Sequence, residues 1–140
     1  YEIFKKYPHT IDIKIEKTNF LAKINSNDKI FLVGSNGKLS NIKYLDEELP
    51  FIFGKPEINE FIEFTKVIKQ SKFSFNEIKN LYFFPSKRWD LELKNNKILK
   101  LSKDYTRISL DQAFEILKDN KFKNIKVIDA RIKNQIILNE

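Results

Sequence analysis

The chain has 140 residues, 41% of them hydrophobic and 32% charged, with 13 Phe, 5 Tyr and 1 Trp, which is enough apolar volume for one real core and too much for a disordered segment. It has no cysteine, which excludes disulfides, thiolate metal sites and cysteine nucleophiles, and its single histidine, His9, cannot by itself build a zinc site or a Ser-His-Asp constellation. The formal charge of +7 is uneven: residues 1–70 hold 11 Lys+Arg against 10 Asp+Glu, and residues 71–140 hold 15 against 9.

A basic second half fits nucleic acid, an anionic membrane surface or an acidic protein partner. A plainer source is the residue usage, crowded with Lys, Asn, Ile and Phe while Arg stands only at 88, 107 and 131. No stretch approaches the roughly 18 apolar residues that a membrane-spanning helix needs, and nothing near Tyr1 reads as a signal peptide. The chain is expected to be a piece of a longer protein whose targeting and anchoring segments lie upstream of Tyr1.

The first predicted element is a strand over Thr10 to Lys17, where Ile11, Ile13 and Ile15 alternate with Asp12, Lys14 and Glu16. His9 stands at its start as an ordinary turn residue. A short apolar piece from Leu21 to Ile24, a turn at Asn25-Ser26-Asn27-Asp28, a strand from Lys29 to Val33, and a turn at Gly34-Ser35-Asn36-Gly37 leading into Lys38-Leu39 predict an antiparallel meander. The acidic run Asp46-Glu47-Glu48 then leads into Leu49 to Gly54, an apolar segment between Pro50 and Gly54 that must lie on a core without being a helix.

After Pro56 the period changes. Ile58, Phe61, Ile62, Thr65 and Ile68 share one helical face, with Glu57, Glu60 and Glu63 toward the start and Lys66, Lys69 and Lys72 toward the end, as the helix dipole favours. Lys79 to Phe84 reads as a strand stopped by Pro85. Trp89, Leu91 and Leu93 alternate with Asp90 and Glu92, and Asn95-Asn96 turns the chain into Ile98 to Leu101, the mark of a hairpin with Trp89 in the core. A second helix is expected to start with a capping box of Ser109 and Gln112, a staple of Ile108 on Ala113, and a buried stripe of Leu110, Ala113, Phe114 and Leu117. Strands over Asn124 to Arg131 and Gln135 to Leu138 close the chain around a tight turn at Lys133-Asn134. The order predicts an α+β domain, a mostly antiparallel sheet built from hairpins with two amphipathic helices packed on it.

Catalytic chemistry finds little to work with. Gly34, Gly37 and Gly54 are the only glycines, so no phosphate-cradling loop or dinucleotide fingerprint can be assembled. No spacing of carboxylates suggests a paired acid and base, and Ser35, Ser40 and Ser86 lack a histidine partner. These absences predict a chain that is not an enzyme and holds no cofactor. For nucleic acid, Tyr82, Phe83, Phe84, Lys87, Arg88 and Trp89 come closest to a basic face with stacking rings, and a basic nucleic-acid-binding module is the alternative reading.

Taken in order, "YPHTIDIKIEK", "IFLVGSNGKL", "LPFIFG" before a helix, "RWDLELKNNKILKL", a second helix and "VIDARIKNQIIL" resemble the extracytoplasmic part of the FtsQ/DivIB family. The resemblance implies the last strand of a POTRA domain over residues 1–22 and a β domain over residues 23–140. It also implies a non-catalytic scaffold of the division machinery, anchored through one upstream transmembrane helix on the periplasmic face of the inner membrane at the septum. Its partners would be FtsB and FtsL, with no nucleic acid and no small-molecule substrate. The chain departs from the family pattern at Phe20, where a Pro is usual, and at Ile132 and Gln135, where an aromatic and a turn Gly are usual.

The partner site is expected at the last hairpin, because a terminal strand can offer unpaired backbone groups to another chain. Arg131 and Lys133 would meet acidic partner residues, and Ile132 would make an apolar contact beside Asn134. Gln135, Ile136, Ile137 and Leu138 would pair through the backbone. Lys87 and Arg88 are weaker candidates on the same basic face.

Overall fold

Tight turns built from residues that tolerate left-handed backbone organise the first part of the sheet. The computed structural model describes residues 19–41, 48–132 and 135–140, so the expected strand at Thr10 to Lys17, His9, Asp46, Glu47, Lys133 and Asn134 lie outside the described residues. Strands β1 (Phe20–Ser26) and β2 (Lys29–Gly34) pair antiparallel. They are joined at Asn27 and Asp28, with φ of 54° and 65°, the backbone of a primed hairpin turn. Gly37 at φ 79° turns the chain into β3 (Leu39–Asn41), antiparallel to β2. The expected division of the chain after residue 22 falls inside β1, and Ala22 is fully buried.

The apolar Pro-to-Gly segment is a strand, β4 (Phe51–Phe53), lying parallel to β1 and to β5 (Ile78–Phe83). Helix α1 (Ile58–Gln70) makes the crossover between β4 and β5, the long connection that parallel neighbours require. Its buried face comprises Phe61, Phe64, Thr65 and Ile68; Ile58 and Ile62 are only half buried. Phe64, about one turn on from Phe61, widens the expected stripe because its ring stacks on Trp89 of the sheet.

Next come β6 (Trp89–Leu93) and β7 (Ile98–Leu101), antiparallel as expected, then α2 (Thr106–Lys118), β8 (Val127–Ile132) and β9 (Gln135–Asn139). Helix α2 begins three residues before the expected capping box. Ser109 lies inside it and is buried, donating its hydroxyl to the carbonyl of Ala130 at 2.9 Å. A buried carbonyl facing the helix is a stronger claim on that hydroxyl than a solvated helix end. Ile108, expected as a staple, is 49% exposed.

Among the described residues the strands form one nine-stranded sheet ordered β3-β2-β1-β4-β5-β6-β7-β8-β9. Pairing is mostly antiparallel, with parallel steps at β1/β4, β4/β5 and β7/β8. The parallel pairs β4/β5 and β7/β8 are the ones bridged by α1 and α2. Both helices share one core with Leu91, Leu99, Leu101 and Ile128 of the sheet, so they cover the same face. They are tied to each other where the backbone N–H of Lys72 donates to Asp111 Oδ1 at 2.8 Å. Trp89 is buried beneath α1 and packs against Phe64, Phe61 and Phe83. The architecture is α+β, a mostly antiparallel sheet with two helices on one side, as the order of elements predicts.

Candidate partner-binding edge

Because both helices lie on one side, the other side of the sheet presents the alternate residues of each strand. The pairing registers align Phe53, Tyr82, Asp90, Lys100, Asp129 and Ile137 as successive neighbours across β4, β5, β6, β7, β8 and β9. At one end of this row the rings of Phe53 and Tyr82 stack, with centroids 5.0 Å apart and planes 11° from parallel. In the middle, opposite charges alternate. At the other end Ile137, 41% exposed, stands on β9.

Among the described residues β9 is paired on one side only, antiparallel to β8. Its inner face closes the core through half-buried Ile136 and Leu138, both packed against the main cluster. Closing the core and serving as an edge are therefore compatible here, one assigned to the side chains and the other to the outward backbone. The register between β8 and β9 breaks between Asp129 and Ile132, a β-bulge. Ala130 is buried, while Arg131 and Ile132 are both exposed, Ile132 at 55%.

Arg131 is held within the chain. Its Nε donates to Asp129 Oδ1 at 2.8 Å and its Nη2 to Asp129 Oδ2 at 2.6 Å, a forked, charge-assisted pair. These hydrogen bonds hold the Asp129 carboxyl below its ordinary pKa against the opposing effect of burial, and Asp129 in turn raises the Arg131 pKa. Lys133 and Asn134, expected beside them, lie outside the described residues, and Gln135 is exposed at the start of β9.

The weaker pair of candidates separates. Arg88 donates from Nε and Nη2 to Asp90 at 3.2 and 3.3 Å and lies over the Phe84 ring, 4.5 Å from its centroid. Lys87, at φ 68°, reaches Glu60 of α1 at 4.0 Å. Asp90 is buried, and that burial pushes its pKa up against the pull of Arg88, Lys100 and Arg131. Arg88 and Arg131 thus lie at one charge row, whereas Lys87 turns toward the helix side.

Three members of this row were not among the sequence-predicted residues: Asp90, Lys100 and Asp129. The alternation in Trp89-Asp90-Leu91 places Asp90 opposite the core, but strand order alone brings Lys100 and Asp129 beside it. Near Tyr82, Glu92 accepts from the Tyr82 hydroxyl at 3.0 Å and from Asn80 Nδ2 at 2.9 Å. The Asn80 bond is the main reason its pKa falls. Among the described residues no group of acidic or histidine side chains could hold a metal ion, and no helix is long and apolar enough to cross a membrane.

A model of the family described as "Cell division protein FtsQ/DivIB, C-terminal" matches residues 22–131, a stretch that ends at the bulge and leaves β9 beyond it. No curated protein matches the chain. Among solved structures, the major extracytoplasmic domain of the trans isomer of the bacterial cell division protein DivIB from Geobacillus stearothermophilus is similar in fold. It has a TM-score of 0.53 at 13% identity, covering 73% of this chain and 92% of that one. With the family model matching residues 22–131, most of the chain, and a fold similar to that of an extracytoplasmic DivIB domain, the chain belongs to the FtsQ/DivIB family of cell-division proteins.

Proposed function

We propose that this domain is a non-catalytic scaffold of the division machinery that binds FtsB, and through it FtsL, by strand addition along β9. In this reading it works outside the cytoplasm at the septum, on a protein anchored in the inner membrane by a segment upstream of Tyr1, and residues 1–22 belong to a preceding POTRA module. The observation that carries the reading is the one-sided pairing of β9, the outermost strand after β8 among the described residues. Such an edge offers a row of N–H and C=O groups to an extended partner. Exposed Ile132 and Ile137 add apolar contacts, and Arg131 adds a cation for an acidic partner residue. Lys133 and Asn134, which lie outside the described residues, are assigned to the same partner contact.

The nucleic-acid alternative has less to stand on. Trp89 is buried on the helix side, and Arg88 is forked onto Asp90 and lies over the Phe84 ring, so neither the indole nor that ring is left open as a stacking platform.

Binding of the periplasmic segment of the same organism's FtsB to wild type and to an Arg131→Glu, Ile132→Glu double variant tests the assignment, with the fold of each checked by melting. The variant is expected to bind at least about tenfold more weakly, roughly 1.4 kcal/mol. Equal affinity would place the partner elsewhere. Single-stranded oligonucleotides serve as the control ligand, and tight binding of them at physiological salt would favour the alternative.

A further inference from the structure

The bulge in β8 explains how two neighbouring residues reach solvent together. In a regular strand Arg131 and Ile132 would point to opposite faces, and one of them would enter the helix-covered side. Here the register shifts between Asp129 and Ile132, and both side chains are exposed. Within the bulge the backbone N–H of Arg131 donates to Asp129 Oδ1 at 3.2 Å. The same carboxylate, only 9% exposed, also takes both bonds of the guanidinium fork. One buried acid therefore fastens the backbone and the side chain of Arg131 at once, and Lys100 of β7 and Ile137 of β9 flank it in the registers.

We propose that Asp129 is a positioning residue of the docking edge, an inference that rests on the β9 reading above. It holds the Nε and Nη2 side of Arg131 against the sheet, so that Nη1 and the second Nη2 proton are left to receive an acidic residue of the added strand. A free arginine loses much rotamer freedom when it binds, whereas one already clamped loses less. The bond from the Arg131 N–H keeps the bulge in place and with it the outward turn of Ile132, since bulges re-aim side chains at sheet edges.

A double-mutant cycle separates this role from a purely structural one. Asp129→Asn keeps the size of the side chain and an oxygen for the Arg131 N–H, but it replaces one fork acceptor by a donor. We expect this variant to melt as a folded protein and to bind the FtsB segment roughly three- to tenfold more weakly. In an Arg131→Ala background the same change should cost nothing further. If Asp129→Asn fails to fold, Arg131→Lys takes its place. It keeps the charge without the fork and should show the same loss. Wild-type affinity in the folded Asp129→Asn or Arg131→Lys protein, or a loss that persists beside Arg131→Ala, would overturn the positioning role. The Arg131→Glu, Ile132→Glu variant is run alongside: if it binds weakly while Asp129→Asn binds as wild type, the docking edge stands and only the role of Asp129 falls. If it binds as wild type, both fall.

Discussion

The rings of Phe64 and Trp89 lie face to face, with centroids 4.6 Å apart and planes 2° from parallel. This contact joins the middle of α1 to the first residue of β6, and Phe61 and Phe83 flank the same indole at 6.2 and 4.8 Å. Aromatic pairs at such distances add to the hydrophobic term that burial supplies.

Trp89→Ala is therefore expected to cost about 3–5 kcal/mol, the range for emptying a large core aromatic. Phe64→Leu, which keeps most of the volume, should cost about half as much or less. Urea unfolding of the two variants checks both numbers. A loss below about 1 kcal/mol for Trp89→Ala would mean that the indole does not anchor α1 to the sheet.

Gly54 follows β4 at φ 101°, and a Cβ there would stand 2.3 Å from the carbonyl oxygen of Phe83 on β5. Gly54→Ala must both strain the backbone and push two sheet strands apart, so a loss of at least about 2 kcal/mol is expected. Gly37, at φ 79°, has only Ile58 Cγ2 nearby at 3.5 Å. Gly37→Ala meets the conformational penalty alone, about 1 kcal/mol. Thermal melts of the pair should rank them in that order, and equal losses would count against the close approach at Gly54.

Asp129 and Asp90 predict opposite acid responses. The folded-state pKa of Asp129 is lowered by Arg131, so its contribution is present above the ordinary carboxylate range and is lost as pH falls through the folded value. Asp90 is raised by burial, so its contribution is present at low pH and is lost as pH rises through its folded value. Between about pH 7 and pH 3 the stability advantage of wild type over Asp129→Asn should shrink, while wild type should gain relative to Asp90→Asn. Urea midpoints across that range read both slopes, and parallel curves for the two variants would contradict the assignment.

Much of the architecture was legible in the sequence because it rests on local rules. The 3.6-residue period after Pro56 specified α1, alternation specified β6, and Asn95-Asn96 specified the hairpin into β7, where Asn96 has φ 69°. β4 was harder to see. Lying parallel to both neighbours, Phe51-Ile52-Phe53 forms a short continuous apolar run, and such runs carry no alternation to distinguish strand from coil. The start of α2 was misplaced for a related reason. Ser109 has the form of a cap, but a buried carbonyl on β8 claims its hydroxyl.

The candidate edge divides along the same line. The sequence alone determined that Gln135 to Leu138 form a strand after a hairpin, that Arg131 and Ile132 sit beside its turn, and that Trp89 belongs to a core, since period, turn chemistry and hydropathy are properties of neighbouring residues. Only the tertiary structure decided that β9 is the outermost strand among the described residues, that Asp90, Lys100 and Asp129 align across three strands, and that a bulge turns Arg131 and Ile132 outward while Asp129 holds the guanidinium. Strand order and register arise from which faces the helices bury over long sequence separations, and an ion pair or a sheet edge exists only once that order has been set.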